Sequence, residues 1–573
     1  MTDPEIASLL NQLYGAGAAS VQASLEAWLA RHTAAHPPKA AARQRLPLTA
    51  ADVMLITYGD QVREPGVPPL RTLAEFCERH LRGGVSAVHL LPHYPHTSDD
   101  GFAVTDYRAV NPDLGTWEDV AALGRSFDLM FDAVFNHLSA QSGWFKRFLA
   151  DDPAFRDFFV TVEGNPDLSQ VVRPRALPLL TAFASASGPR RVWTTFSADQ
   201  VDLNVRNPAV LLALLDTLLF YVARGARFLR LDAIAYLWKE IGTPCIHLPQ
   251  THAVIQLLRA VLDRAAPDTL LITETNVPHR DNLSYFGDGT NEAQLVYNFA
   301  LPPLVLHALL RGDATHLARW AASLRLPSDQ VTFFNFTASH DGIGLNPVRG
   351  ILPPAEIDFL VDRCQAHGGF ISYKDNPDGS KSPYELNIVY FDALSNATAG
   401  EDLNVQADRF LVSQAIMLAL AGMPGIYVHS LFGSRNDREA ALASGLPRRI
   451  NRRKFTRAEL ERELADANSL RHRVFAGYRR LLEARVRHPA LGPLARQQVL
   501  ALPATVFGLL RSTSDETLLA LHNLTGEPMS LRLPAEADAP RGAWRSLFAP
   551  AATPLGNAIT LAPYEVLWAA AMN

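Results

Sequence analysis

Four short stretches of this chain end an apolar run in an ionisable group. They are Asp132 in DAVFNH, Asp232 in FLRLDAIAY, Glu274 in ITETN, and the pair His340-Asp341 in ASHDGIG. A carboxylate at the end of a buried run is costly unless it has a partner or a task. Arg230 stands two residues before Asp232, on the same face of an extended strand, where it can keep that carboxylate ionised. Taken alone, the Arg230–Asp232 pair is explained equally well as a structural ion pair. Its repetition as a motif is what points to chemistry. Carboxylates gathered at one place shift one another's pKa values, so one remains an anion while another holds a proton. A nucleophile and an acid/base roughly 5–5.5 Å apart meet the requirement for retaining glycosyl transfer.

For these groups to meet, their runs must be neighbouring strands. The candidates are VMLITY (53–58), VSAVHLL (85–91), DLMFDAVF (128–135), ARFLRLDA (226–233), TLLITET (269–275), LVYNFAL (295–301), VTFFNFTA (331–338) and GIYVHS (425–430). Helical patterns separate most of them, and about eight strands alternating with helices predict a (β/α)8 TIM barrel, an α/β fold. In such a barrel the active site lies at the C-terminal ends of the strands, where these carboxylates fall. Three long excursions interrupt the alternation, at 138–200, 342–405 and 431–455, and excursions of this length usually shape a site. Residues 1–45 read as a helical extension, with Leu9, Leu10, Leu13, Val21, Leu25 and Leu29 at helical spacing and Pro37-Pro38 closing it. Past about residue 490 short alternating runs predict an antiparallel β-domain. The expected division is therefore 1–45, a barrel over 46–490 with an inserted domain at 138–200, and 491–573.

The chain has 573 residues, enough for one large domain with appendages. A formal net charge of −5 is small for that size, so neither a nucleic-acid nor a membrane partner is implied. No apolar run reaches the roughly 18 residues of a membrane span. Three widely spaced cysteines, Cys77, Cys245 and Cys364, form neither a disulfide framework nor a zinc pattern. Together with an N-terminus unlike a signal peptide, they lead us to expect a cytoplasmic protein. His93 and His96 in PHYPH have metal-like spacing, but the prolines between and beside them prevent the helix that would align them.

DAVFNH, FLRLDAIAY, ITETN, HDGIG and QVDLN (200–204) occur in the order of the conserved regions of the α-amylase family, glycoside hydrolase family 13, and the chain resembles that family over about residues 50–570. The resemblance implies that Asp232 is the nucleophile, Glu274 the general acid/base and Asp341 the transition-state stabiliser. It places Asp99 and Phe102 of DDGFAVTDY, with His137, Gln200, Arg230 and His340, around the glucosyl ring. Asp132 is expected to be structural.

Within the family, Arg173-Pro174-Arg175-Ala176-Leu177-Pro178 and the following VWTTFSADQVDLN resemble the sucrose phosphorylase subfamily, although the first stretch is one residue shorter. That resemblance gives phosphate to Arg175 and an acceptor-site aromatic to Phe196. Asn451-Arg452 resembles the pair that reaches the glucosyl site and helps receive the acceptor, which makes Arg452 a substrate residue. The helical extension, the stretch 276–307 and GSRNDREAALASGLPRRINRRKF look more like the glucosylglycerate phosphorylase branch, whose acceptor is a short anion. The cationic run Arg448, Arg449, Arg452, Arg453 suits such an acceptor. Inorganic phosphate is then the co-substrate, with no cofactor and no metal, and the enzyme is expected as a monomer or homodimer. A sucrose or sucrose 6′-phosphate phosphorylase, a sucrose hydrolase and an amylosucrase-type enzyme remain alternatives. A binding ectodomain would show damaged carboxylates, which this chain does not.

Overall fold

Each of the eight apolar runs forms a strand buried on both faces, as parallel strands covered by helices must be. They are β1 (Met54–Thr57), β2 (Ala87–Leu90), β3 (Asp128–Ala133), β4 (Ala226–Leu231), β5 (Leu270–Thr273), β6 (Leu295–Tyr297), β7 (Thr332–Asn335) and β8 (Met423–Tyr427). All pair in parallel and in sequence order, and β8 returns to β1 to close the barrel. The computed structural model describes residues 4–35, 46–175, 177–376, 379–534, 544–548, 554–555 and 558–572.

Every strand departs from its expected run by one to four residues at an end, β6 and β8 among them. β6 stops at Tyr297 because Asn298 turns its amide to Asn335 Oδ1 at 2.9 Å, and Pro302 and Pro303 then open the helix Leu301–Arg311. β8 begins two residues earlier than expected and gives way to a helical turn, Val428–Leu431. Gly425 sits in that strand because a Cβ there would come within 2.3 Å of the Phe334 ring in the barrel interior.

The N-terminal segment forms two helices, Pro4–Tyr14 and Ala18–Ala35, and its six expected apolar positions are all buried. They pack on the helix Pro249–Ala265 between β4 and β5. Tyr14 donates to the Val205 carbonyl at 3.0 Å, and Arg264 forks onto Glu26 at 2.8 and 3.0 Å. Residues 36–45, with Pro37 and Pro38, lie outside the described residues. At the other end a six-stranded antiparallel sheet starts at Arg496–Val499. Two buried arginines cap the C-terminus of the helix Leu403–Ala419, whose free carbonyls attract cations, and one of them, Arg511, belongs to the sheet and fastens it to the barrel. Arg485 donates to Leu418 and Gly422, and Arg511 to Ala419 and Gly492.

All three excursions carry secondary structure. The first contains a helix, Gly143–Leu149, and a hairpin of Leu180–Ser185 with Gly188–Trp193. The second folds as a three-stranded sheet of Ile343–Gly344, Phe370–Asp375 and Lys381–Asn387. The third adds a helix, Arg438–Ser444, and a 3-10 turn, Pro447–Asn451. Where the first returns to the barrel, Gln200–Asp202 pairs antiparallel with His137–Ser139. A buried ammonium locks that junction: Lys239 Nζ lies 2.6 Å from both Asp202 Oδ2 and Asn136 Oδ1. Asp202 also accepts from Thr195, through N–H at 2.9 Å and hydroxyl at 2.6 Å, and from Asn136 at 3.1 Å.

Removing one partner of a buried pair strands the other charge and costs about 3–5 kcal/mol. Lys239→Met is therefore expected to lower stability by that amount in urea titration. Gly425→Ala overfills the barrel interior and is expected to cost about 1–3 kcal/mol in the same assay.

Candidate active site

The strand ends bring three carboxylates around one guanidinium. Arg230, 1% exposed near the end of β4, bonds through Nη1 to Asp132 Oδ1 and to Asp232 Oδ1, the latter at 2.8 Å. Its Nη2 lies 3.8 Å from Glu274 Oε2. Asp132 is completed by His89 of β2, whose Nε2 sits 2.7 Å from Oδ2. Burial would raise the Asp132 carboxyl, but His89 and Arg230 hold it at about 2. It is fully buried and does not face the cavity.

Asp232 and Glu274 do face it. Burial pushes both above the usual carboxylate range, and the Glu274 charge raises Asp232 further. Their partners are unequal. Asp232 has the close guanidinium bond, whereas Glu274 accepts one backbone bond, from Ala233 N–H at 3.0 Å. Ala233 adopts φ 48°, uncommon for a residue with a side chain, which turns its N–H toward Glu274. Burial and the neighbouring carboxylates raise Asp232 further than Glu274; the direct Arg230 bond, which Glu274 lacks, opposes this and favours the anion on Asp232. One buried anion beside one buried acid can perform nucleophilic and proton-donating steps.

Asp341 completes the group. Burial would raise it, but Arg448, His340 and Arg452 hold it well below the usual carboxylate range. Arg448 Nη1 lies 2.5 Å away, and His340 Nε2 3.5 Å. Burial keeps His340 neutral, its pKa lowered to about 3. Asn451 holds the turn, donating to the carbonyls of Ser339 and Asp341 at 3.1 and 3.0 Å. The Gly342 of this motif permits close approach, because a Cβ there would stand 2.5 Å from the Leu386 carbonyl.

Asp99, Phe102, His137, Arg175, Phe196, Gln200 and His340 line the same cavity. Phe102 stacks on His340 with ring centroids 4.8 Å apart and 5° between planes, and presents an apolar wall. His137 Nε2 donates to the Phe102 carbonyl at 3.0 Å while Nδ1 accepts from Asn136 at 3.2 Å. Arg175 is 3.5 Å from Asp99 Oδ2, and its guanidinium lies 5.9 Å from the Phe196 ring centre. Burial opposes ionisation of Asp99, but Arg175, Arg452 and Arg448 hold its pKa at about 2. Ala176, beside Arg175, lies outside the described residues.

Two expected site residues stand behind the wall instead of on it, Arg230 and Arg452. Arg452 is 6% exposed, donates to the His340 carbonyl at 2.9 Å, and pairs with Asp100 at 2.6 Å. Its Nη2 has no hydrogen-bond partner among the described residues and lies 3.7 Å from Asp341. Asp100 also binds Arg449 at 2.6 Å, so two arginines hold a turn in which Asp99 and Asp100 both have positive φ, 52° and 48°. Of the cationic run, only Arg448 reaches the cavity; Arg453 turns away to Glu459. Tyr236, Asn276 and Tyr384 also line the cavity and were not foreseen. Tyr236 could have been, standing one turn beyond Asp232. Tyr384 sits on a hairpin far from any motif. Among the described residues, no three His, Cys, Asp or Glu side chains are grouped to hold a metal ion, and no helix is long and apolar enough to cross a membrane.

The chain has counterparts among known proteins. Residues 81–325 match the model of the alpha amylase catalytic domain. A glucosylglycerate phosphorylase from Spirochaeta thermophila is 53% identical over 508 residues, covering 88% of this chain and 86% of that protein. A sucrose phosphorylase from Agrobacterium vitis is 33% identical over 431 residues, covering 71% and 83%. The crystal structure of sucrose 6F-phosphate phosphorylase from Thermoanaerobacter thermosaccharolyticum superposes with a TM-score of 0.73 at 25% identity, over 83% of this chain and 94% of that one. The chain belongs to the α-amylase family.

Proposed function

We propose that this protein is a retaining glycoside phosphorylase. It cleaves 2-O-α-D-glucosylglycerate with phosphate to give α-D-glucose 1-phosphate and glycerate. Asp232 attacks the anomeric carbon while Glu274 gives its proton to the departing glycerate oxygen. The oxocarbenium-like transition state is stabilised by Asp341, and Phe102 supports the apolar face of the sugar. Phosphate, received by Arg175, then attacks the β-glucosyl enzyme, and Glu274 takes back a proton. Two inversions give net retention. His137, Gln200, Asp99 and His340 hold the glucosyl hydroxyls, Phe196 borders the acceptor, and Arg230 and Arg452 orient carboxylates from behind.

The observation that carries the mechanism is the unequal partnering of Asp232 and Glu274 around Arg230. The choice of glycerate is supported by relatives named for it, which share about half of all residues with this chain. Phosphate is a co-substrate and no step calls for a cofactor. The reading includes a division at 1–45, 46–490 and 491–573. It also includes a cytoplasmic setting, which suits three free cysteines, and a monomer or homodimer.

Glucose 1-phosphate release is the test, with glucosylglycerate, sucrose and sucrose 6′-phosphate offered in parallel, each with a phosphate-free control. Phosphate-dependent release from glucosylglycerate is expected. Preferred release from either sucrose compound overturns the acceptor, and glucose release that ignores phosphate makes the enzyme a hydrolase. Asp232→Asn is expected to remove at least about four orders of magnitude of turnover. Glu274→Gln should lose about 10²- to 10⁴-fold with glucosylglycerate and far less with α-glucosyl fluoride, whose leaving group needs no proton.

In the wild type, kcat/KM should fall on the acid side as Asp232 protonates and on the alkaline side as Glu274 ionises. Because burial raises Glu274, that alkaline limb lies above the ordinary glutamate range of about 4.3. With the fluoride, which needs no acid, the alkaline limb should vanish in the wild type itself, and a limb that persists assigns it to another group.

A further inference from the structure

The hairpin between β7 and β8 meets the loop after β8 at a cation that the mechanism above leaves unused. Arg448 lines the cavity together with Glu274, Asp341 and Tyr384. Its Nε and Nη2 donate to the two oxygens of Glu385 at 2.9 and 2.6 Å. Glu385 is 1% exposed and does not line the cavity. Such a two-pronged pair fixes the plane of a guanidinium as well as its place. The remaining nitrogen, Nη1, lies on the cavity side, 2.5 Å from Asp341 Oδ1 as an ion pair without a hydrogen bond between them. The side chain of Arg448 keeps 22% of its surface open. A neutral acceptor would gain little from an aimed and partly open cation, whereas an anion entering the cavity finds in it a ready partner.

We propose that Arg448 is a specificity-determining residue of the acceptor side, taking the carboxylate of the acid acceptor and later an oxygen of phosphate on its Nη1 edge. Glu385 is the positioning residue that aims it. The inference rests on the phosphorylase reading above. One anion leaves before the other arrives, so a single cation serves both half-reactions. Each anion takes over the Nη1 contact from Asp341 and leaves that carboxylate to the anomeric centre. Water brings no charge and cannot make this exchange, so the arrangement also disfavours hydrolysis.

The test is glucosyl transfer from α-glucose 1-phosphate to glycerate and to glycerol, its neutral counterpart, with the KM for phosphate and the hydrolysis-to-transfer ratio. The proteins are wild type, Arg448→Gln, Arg448→Lys and Glu385→Gln. Arg448→Gln is expected to lower the preference for glycerate over glycerol on the order of 10- to 100-fold, to raise the KM for phosphate, and to raise the hydrolytic share. Arg448→Lys should recover part of the preference. Glu385→Gln keeps the cation but loosens its aim, and should lower the preference to a smaller degree whether or not the Arg448 variants fold. An unchanged preference, or an equal fall for both acceptors, overturns the proposal. Wild-type enzyme that needs no phosphate contradicts the phosphorylase reading itself, and that result is visible before any substitution is made.

Discussion

The site depends on the Arg230 guanidinium. It is buried where an unpaired charge would cost several kcal/mol, and it is tolerated because Asp132 and Asp232 meet it directly. The converse also holds, since two carboxylates with no cation between them would neutralise themselves by taking up protons. Asp132 gives the arginine a fixed anchor, and His89 fixes Asp132 in turn. Asp132 and Asp232 share its Nη1, the latter at 2.8 Å, while its Nη2 stands 3.8 Å from Glu274. In the proposed mechanism that difference of distance separates nucleophile from acid.

Around this centre the barrel supplies position and the excursions supply enclosure. Lys239 pins the returning end of the first excursion to the end of β3, and Asn136 carries that restraint to His137. Arg452 and Arg449, from the loop after β8, hold Asp100 in the turn that presents Asp99 and Phe102. Segments more than 300 residues apart in the chain thus depend on a few buried ion pairs. Such pairs are weak stabilisers but strong determinants of geometry when both partners are present.

The barrel was legible in the sequence because β-branched runs bounded by turns recur eight times, and the carboxylates because they end those runs. Arg230 and Asp232 could be paired from spacing alone, as residues two apart share a face of a strand. Arg452 was legible as a site residue but not as one standing behind the cavity wall, since neither burial nor its partner Asp100 follows from local pattern. Arg448 could not be distinguished from Arg449 and Arg453, because a run of arginines in a loop has no periodicity to show which one turns inward. Glu385 and Tyr384 gave no signal at all. Tyr384 reaches the cavity, and Glu385 stands behind it, through a hairpin whose placement depends on Gly342 and on contacts distant in sequence.

The central claim is that Asp232, kept anionic by Arg230, forms a covalent bond to the glucosyl unit. Intact-protein and peptide mass spectrometry of the Glu274→Gln enzyme after brief exposure to α-glucosyl fluoride tests it directly. The account predicts one added glucosyl unit on the peptide that contains Asp232, discharged as glucose 1-phosphate when phosphate is added. An adduct on another residue, or turnover of the fluoride by an enzyme that never carries the sugar, would contradict it.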